Sequence, residues 1–176
     1  MKLYVIRHGR TNLNERKIMQ GLTDESINLN GIKDAEIIKE KLKDVDFDIC
    51  ISSPLKRAIE TSKIVANNKC NIITNDLLIE RALGEFEGKM YDDYSKLGYW
   101  DYKLNSSDFN VEPVRSVLKR TKIFLSELKK NNYKNVLIVS HSAPIRAINY
   151  NILGYNSDTN FLEFKAEHKV VYEYDI

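Results

Sequence analysis

Cysteine is scarce in this chain of 176 residues: Cys50 and Cys70 are the only two. Two thiols cannot build a disulfide framework, and their scarcity suits a reducing cytoplasm. Glycine (7) and proline (3) are also few. No repeat, low-complexity tract or Pro/Gly-rich linker divides the sequence, so one domain over residues 1–176 is expected; with 43% apolar residues it can bury a real core. Charge of one sign is missing as well: 27 basic against 25 acidic residues leave a net charge of +2, without the global basic field of a nucleic-acid binder. Long apolar runs are absent too. The N-terminal one, LYVI, is too short for a signal peptide or a membrane span. A cytoplasmic protein with neither nucleic acid nor membrane as partner is expected.

What is present is an alternation of two apolar periods. Lys2–Ile6 and Asp46–Ile51 have the pattern of short strands, and Asn135–Val139 (NVLIV) that of a fully buried one. Between them run helical stripes: Ile32, Ala35, Ile38 and Leu42; Leu55, Ala58, Ile59, Ser62, Val65 and Ala66; Val114, Val117, Leu118, Thr121, Leu125 and Leu128. Asn160–Lys165 and Lys169–Tyr174 predict two closing strands around a turn at Ala166–His168. The expected class is α/β, a three-layer αβα sandwich with a mostly parallel sheet and an antiparallel C-terminal edge.

The polar residues follow the strands. The first runs into Arg7-His8, the second into Ser52-Ser53-Pro54 with Arg57 one turn on, and NVLIV into Ser140-His141-Ser142 with Pro144. Open α/β sheets bind ligands outside the carboxyl ends of their strands, so all three segments would reach one rim. Pro54 and Pro144 suit first-turn helix positions, whose free N–H groups would face the same rim. One such strand end reads as surface; three together, with two histidines and several arginines, describe a phosphate site.

Spacing excludes several phosphate chemistries. GEFEGKM (Gly84–Met90) is one residue short of a P-loop and lacks the Ser/Thr after Lys89. Cys50 and Arg57 stand one residue too far apart for a cysteine phosphatase, and Cys50 lies inside a strand pattern, where an inert thiol is expected. There is no G-x-S-x-G elbow, the three histidines lack metal-ligand spacing, and no acidic cluster suggests a two-metal hydrolase. Histidine remains as nucleophile. An imidazole nitrogen can attack phosphorus while flanking cations neutralise the equatorial oxygens, and a carboxylic acid must then protonate the leaving oxygen.

With these residues the chain resembles the histidine phosphatase superfamily, the phosphoglycerate-mutase-like proteins of branch 1. R-H-G-x-T stands as Arg7-His8-Gly9-Arg10-Thr11 followed by Asn14, and the next motif runs from Gln20-Gly21 through Asp24 to Leu29 and Gly31. SSPLKRAIET, LIERALGEFEG and VLIVSHSAPIRAI match the remaining three blocks. The resemblance implies that His8 attacks phosphorus, that Arg7, Arg57 and His141 hold the phosphoryl oxygens, and that Glu80 is the general acid and base. It further implies that Asn14 and the backbone N–H of Ser142 grip phosphate, with no metal and no organic cofactor. The partner would be a small-molecule phosphate monoester, and the protein a monomer or homodimer.

Two positions depart from the family pattern. Arg10 stands where Glu or Gln is common and is read as pointing to solvent, the alternative being that it adds positive field for an anionic substrate. Ser142 replaces a common Gly, which would matter if that position needs an unusual backbone angle. Outside the motifs, His168 is expected in an exposed turn, Glu85 and Glu87 compete with Glu80 for the acid role, and Arg81, Arg115 and Arg120 are candidates to reach substrate, the last two from a helix surface. Tyr91, Tyr94, Tyr99, Trp100, Tyr102 and Phe109 are either packing or a wall for an apolar or ring-shaped leaving group. The compact interval between the acid motif and His141 favours a phosphomonoesterase. Phosphoglycerate mutase, a sugar-phosphate or cobamide-pathway nucleotide phosphatase, and a non-catalytic phosphate-binding module are the alternatives.

Overall fold

The computed structural model describes residues 1–91 and 98–176. Five strands form one sheet: β1 (Lys2–Arg7), β2 (Ile49–Ser52), β3 (Asn71–Thr74), β4 (Asn135–Ser140) and β5 (Val171–Asp175), in the order β3-β2-β4-β1-β5. All neighbours are parallel except β5, which runs antiparallel to β1 at the edge. The principal helices are α1 (Asn12–Glu15), α2 (Leu29–Lys41), α3 (Lys56–Ala66), α4 (Val114–Leu128) and α5 (Ser142–Leu153).

The near-continuous apolar strands are continuous because both faces are covered. Leu3, Val5, Ile49, Ile51, Val136 and Ile138 point to one side, where α4 and α5 supply Phe124, Leu125, Leu128, Ile145 and Ile148. Tyr4, Ile6, Cys50, Leu137 and Val139 point to the other, against Ala35, Ile38 and Leu42 of α2 and Ala58, Val65 and Ala66 of α3. Strand side chains alternate faces, so one run of apolar residues feeds two cores. A third apolar cluster, centred on Met19, Trp100, Val114, Ala143, Ala147 and Phe161, lies beyond the strand ends and forms the floor of a cap.

Four points differ from expectation. The second strand begins at Ile49, because the Asp48 carboxylate accepts from the Lys134 and Asn135 N–H groups and so ends the run before it. β3 escaped the sequence reading; it is a short edge strand with mostly exposed residues, hence without an apolar signature. Asn160–Lys165 is not a strand: its carbonyls bind side chains, with Asn160 O accepting from Tyr150, Phe164 O from Arg146 and Lys165 O from Tyr172. Pro54 precedes α3 and its N-cap Leu55, whereas Pro144 does lie in the first turn of α5.

The loop after β1 passes α2 at backbone contact. A Cβ on Gly9 would lie 2.3 Å from the Gly31 carbonyl oxygen, and one on Gly31 would lie 2.1 Å from that of Arg10. Neither position tolerates a side chain, and the crossing fixes where residue 8 points.

Candidate active site

Register brings the polar residues together. Arg7 pairs with Ser140 and Ser52 with Val139, so β1, β2 and β4 end level. The next residues continue the ladder: His8 N–H donates to Ser140 O (3.0 Å) and Ser53 N–H to Val139 O (2.9 Å). A cavity of about 220 Å³ opens at this rim, and its wall includes Arg7, His8, Asn14, Arg57, Glu80 and Ser142. Among the described residues, four guanidiniums, those of Arg7, Arg57, Arg81 and Arg146, stand with one carboxylate, Glu80, in the cavity lining. The site is strongly cationic in a nearly neutral chain.

His8 is 2% exposed, and its Nδ1 lies 2.8 Å from Gly9 O. A carbonyl only accepts, so Nδ1 carries the proton and Nε2 keeps its lone pair. Burial first, then the neighbouring His141, Arg7 and Arg57, holds the His8 pKa well below the ordinary value of 6.5. The ring is therefore a free base at neutral pH.

Arg57 is 1% exposed, and each of its three nitrogens donates one hydrogen bond. Its Nε donates to His141 Nδ1 (3.2 Å), one Nη to Thr23 O (2.6 Å) and the other to Gly21 O (2.8 Å). Glu87 holds the same loop from the other side, accepting from the N–H groups of Leu22 (3.0 Å) and Leu83 (3.1 Å). Gly21 makes this possible: its φ is +50°, and a Cβ there would lie 2.1 Å from the Glu87 carboxylate. Arg7 donates through Nη1 to Ala166 O (3.0 Å), and its buried Nε–H has no partner among the described residues. Asn14 Oδ1 accepts from the Thr11 N–H in a capping box at α1, which turns the amide NH2 group to the cavity.

Glu80 approaches from the segment after β3. Its Oε1 accepts from the N–H groups of Arg81 (2.9 Å) and Ala143 (3.2 Å), the latter in the first turn of α5. Glu85 is exposed and outside the cavity wall, and Glu87 is committed to the Gly21 loop, so of the three carboxylates Glu80 alone faces the site. Ser142 opens α5 and needs no left-handed backbone angle; its replacement of Gly costs nothing here.

His141 comes close but stands behind the wall. Its ring centroid is 5.0 Å from that of His8, yet it does not line the cavity. Nδ1 accepts from Arg57, so the proton resides on Nε2, which donates to Ser53 Oγ (2.7 Å). Burial and the adjacent Arg57, Arg7 and Arg120 lower its pKa well below 6.5. In this arrangement neither nitrogen is open to a phosphoryl oxygen.

Several residues fall elsewhere than expected. Arg10 does not point to solvent alone: it binds the buried Asp34 carboxylate through two bonds, 2.6 and 2.9 Å, outside the cavity. His168, expected to be exposed, is half-buried, with Nδ1 2.8 Å from His8 O. Arg81 donates to Glu112 O and Tyr99 O and packs against Trp100, whereas Arg115 and Arg120 lie away from the site. Among the aromatics, Tyr91 and Trp100 line the cavity; Tyr99, Tyr102 and Phe109 pack on other rings, and Tyr94 lies outside the described residues.

Gln20 and Arg146 also belong to the wall, and the sequence, in which Gln20 figures only as the start of a motif, assigned a role to neither. Arg146 stands one helical turn after Ser142 on α5, so its spacing from the second histidine was the available signal. Its guanidinium lies 4.4 Å from the Trp100 ring centroid and donates through Nε to Phe164 O. Cys50 is buried and its thiol is pushed up to about 12, as suits an inert residue.

Known proteins resemble this chain in sequence and fold. The family model for the histidine phosphatase superfamily, branch 1, matches residues 3–173. Phosphoserine phosphatase 1 of Hydrogenobacter thermophilus is 30% identical over 162 residues, covering 88% of this chain and 77% of that protein. A 2,3-bisphosphoglycerate-dependent phosphoglycerate mutase of Thermoplasma acidophilum is also 30% identical, covering 100% and 89%. The crystal structure of the α-ribazole phosphatase from Shigella flexneri superposes with a TM-score of 0.85 at 25% identity, covering 100% and 91%. Arg7, His8, Arg57 and Glu80 thus line one cationic cavity, with His141 behind Arg57, in a chain that belongs to the histidine phosphatase superfamily, and the protein is a histidine phosphatase.

Proposed function

We propose that the protein is a metal-independent phosphomonoesterase working through a phosphohistidine on His8. The observation that carries this is the Nδ1–H bond of His8 to Gly9 O, which leaves Nε2 as a lone-pair donor beside Arg7 and Arg57. Nε2 attacks phosphorus, the bond from phosphorus to the ester oxygen breaks, and Glu80 gives its proton to the departing alkoxide. Glu80, now a carboxylate, takes a proton from water. The resulting hydroxide attacks phosphorus, the P–N bond breaks, and its electron pair returns to Nε2.

The unmet Nε–H of Arg7, the Asn14 amide and the α5 N-terminus at Ser142 are the donors for the phosphoryl oxygens. His141 acts by orienting Arg57 rather than by holding phosphate itself. Beyond the phosphate end, Trp100, Tyr91, Met19 and Leu83 line the wall together with Arg81 and Arg146. At about 220 Å³ the cavity is metabolite-sized, and that mixed wall suits a leaving alcohol with an apolar face and an anionic substituent. Among the described residues no group of three or more His, Cys, Asp or Glu side chains is placed to hold a metal. The two unpaired cysteines fit a reducing cytoplasm, and among the described residues no helix is long and apolar enough to cross a membrane.

A panel of phosphate monoesters, assayed with and without chelator, tests this reading. Hydrolysis unchanged by chelator is expected. A requirement for a divalent cation, or phosphoryl transfer between the hydroxyls of phosphoglycerate outpacing hydrolysis, would overturn it.

A further inference from the structure

All three histidines of the chain meet at the end of β1. The proposed reaction assigns no task to one of them. His168 comes from the segment ahead of β5 and sets its ring edge-on to that of His8, centroids 5.7 Å apart. Its Nδ1 lies 2.8 Å from His8 O; a carbonyl only accepts, so Nδ1–H is the donor.

That bond holds one end of the His8–Gly9 peptide. The other end, the Gly9 N–H, donates to Thr61 Oγ1 (2.9 Å), whose own hydroxyl donates to Arg57 O (2.6 Å). The peptide plane after the nucleophile is therefore pinned on both edges by side chains. The next carbonyl, Gly9 O, is the one that fixes the His8 ring. Two residues before His168, Ala166 O accepts from Arg7. The segment is itself anchored: Ala166 is buried, Glu167 N–H donates to Tyr172 Oη (2.8 Å), and Lys169 O accepts from Lys41 (2.8 Å).

We propose that His168 is a positioning residue for the nucleophile: by holding the His8 carbonyl it sets the peptide on which the aim of Nε2 depends. The inference rests on His8 being the nucleophile. Displacing a reacting group by about 1 Å costs about a hundredfold in rate, and loosening one of two restraints costs less, about tenfold.

The test is steady-state kinetics on His168→Ala, His168→Asn and His168→Gln, with thermal midpoints measured alongside. Asn can place an amide N–H near the position of Nδ1; in Gln it lies one bond farther out. The expected result is a tenfold loss of kcat in His168→Ala with KM within threefold, recovery to within threefold in His168→Asn, and no recovery in His168→Gln. Should the Ala variant fail to fold, the Asn and Gln variants decide between them. Full kcat in His168→Ala, or equal impairment of Asn and Gln, overturns the proposal. His8→Asn, run in parallel, separates the two readings. If it turns over, the nucleophile assignment fails; if it is dead while His168→Ala is fully active, only the positioning role fails.

Discussion

Acidification should destabilise this protein steeply, by an amount set by its histidines. His8, His141 and His168 are all held neutral in the fold, first by burial and then by neighbouring cations; for His168 burial and the adjacent Arg7 bring the pKa down to about 4. In the unfolded chain each titrates near 6.5. Below that pH the unfolded state binds more protons than the folded one, so stability falls as pH falls and levels off only at the folded pKa, near 4 for His168. Each such histidine contributes a slope of about 1.4 kcal/mol per pH unit, so the three together approach about 4 kcal/mol per unit between about pH 6 and 5. Ordinary carboxylates titrate lower and add little there. Against a typical total of about 5–15 kcal/mol, that loss dominates. Trp100, the only tryptophan, is buried against the cavity and reports unfolding by fluorescence. Urea titrations in phosphate-free buffers from about pH 7.5 to 5 should show the slope, and His8→Asn should remove about a third of it. Stability independent of pH over that range would mean that the histidines titrate in the fold as they do in the unfolded chain, and would refute their being held neutral by burial.

Two further outcomes follow from particular contacts. Glu80→Gln should lower kcat/KM, which reports steps only up to the phosphoenzyme, by about a hundredfold or more on alkyl phosphates but far less on p-nitrophenyl phosphate, whose leaving group needs no proton; equal losses of kcat/KM on both substrates would remove Glu80 from the acid role. Arg10→Met should cost about 2 kcal/mol by stranding the buried Asp34 carboxylate, while the double change with Asp34→Leu should recover much of that loss in urea midpoints, with the cavity untouched.

How much of this was legible in the sequence depended on how local the cause was. The apolar runs at Lys2–Ile6 and Asn135–Val139 read correctly because both faces of a central parallel strand are buried. The level strand ends followed from parallel pairing, which is why Arg7, Arg57 and Ser142 could be expected at one rim, whereas Glu80, which ends no strand, was legible only through the family resemblance. β3 was missed because an exposed edge strand has no apolar alternation to detect. Asn160–Lys165 misled because Phe161, Leu162 and Phe164 imitate a strand, while Phe161 serves the cap cluster. His168 and Arg10 were misjudged for a shared reason: their partners, His8 O and Asp34, lie 160 and 24 residues away, and no local pattern encodes such contacts. The displacement of His141 behind Arg57 has the same origin, a bond between residues 84 apart.

Whether the phosphoryl group passes through Nε2 of His8 is tested most directly by trapping it. The enzyme is mixed with an excess of a turning-over phosphate monoester, quenched within the first turnovers in alkaline denaturant and analysed by intact and peptide mass spectrometry. The mechanism predicts one phosphoryl adduct on His8, stable in alkali and lost in acid, that disappears together with turnover in His8→Asn. Turnover persisting in His8→Asn, or an adduct on any other residue, would contradict it.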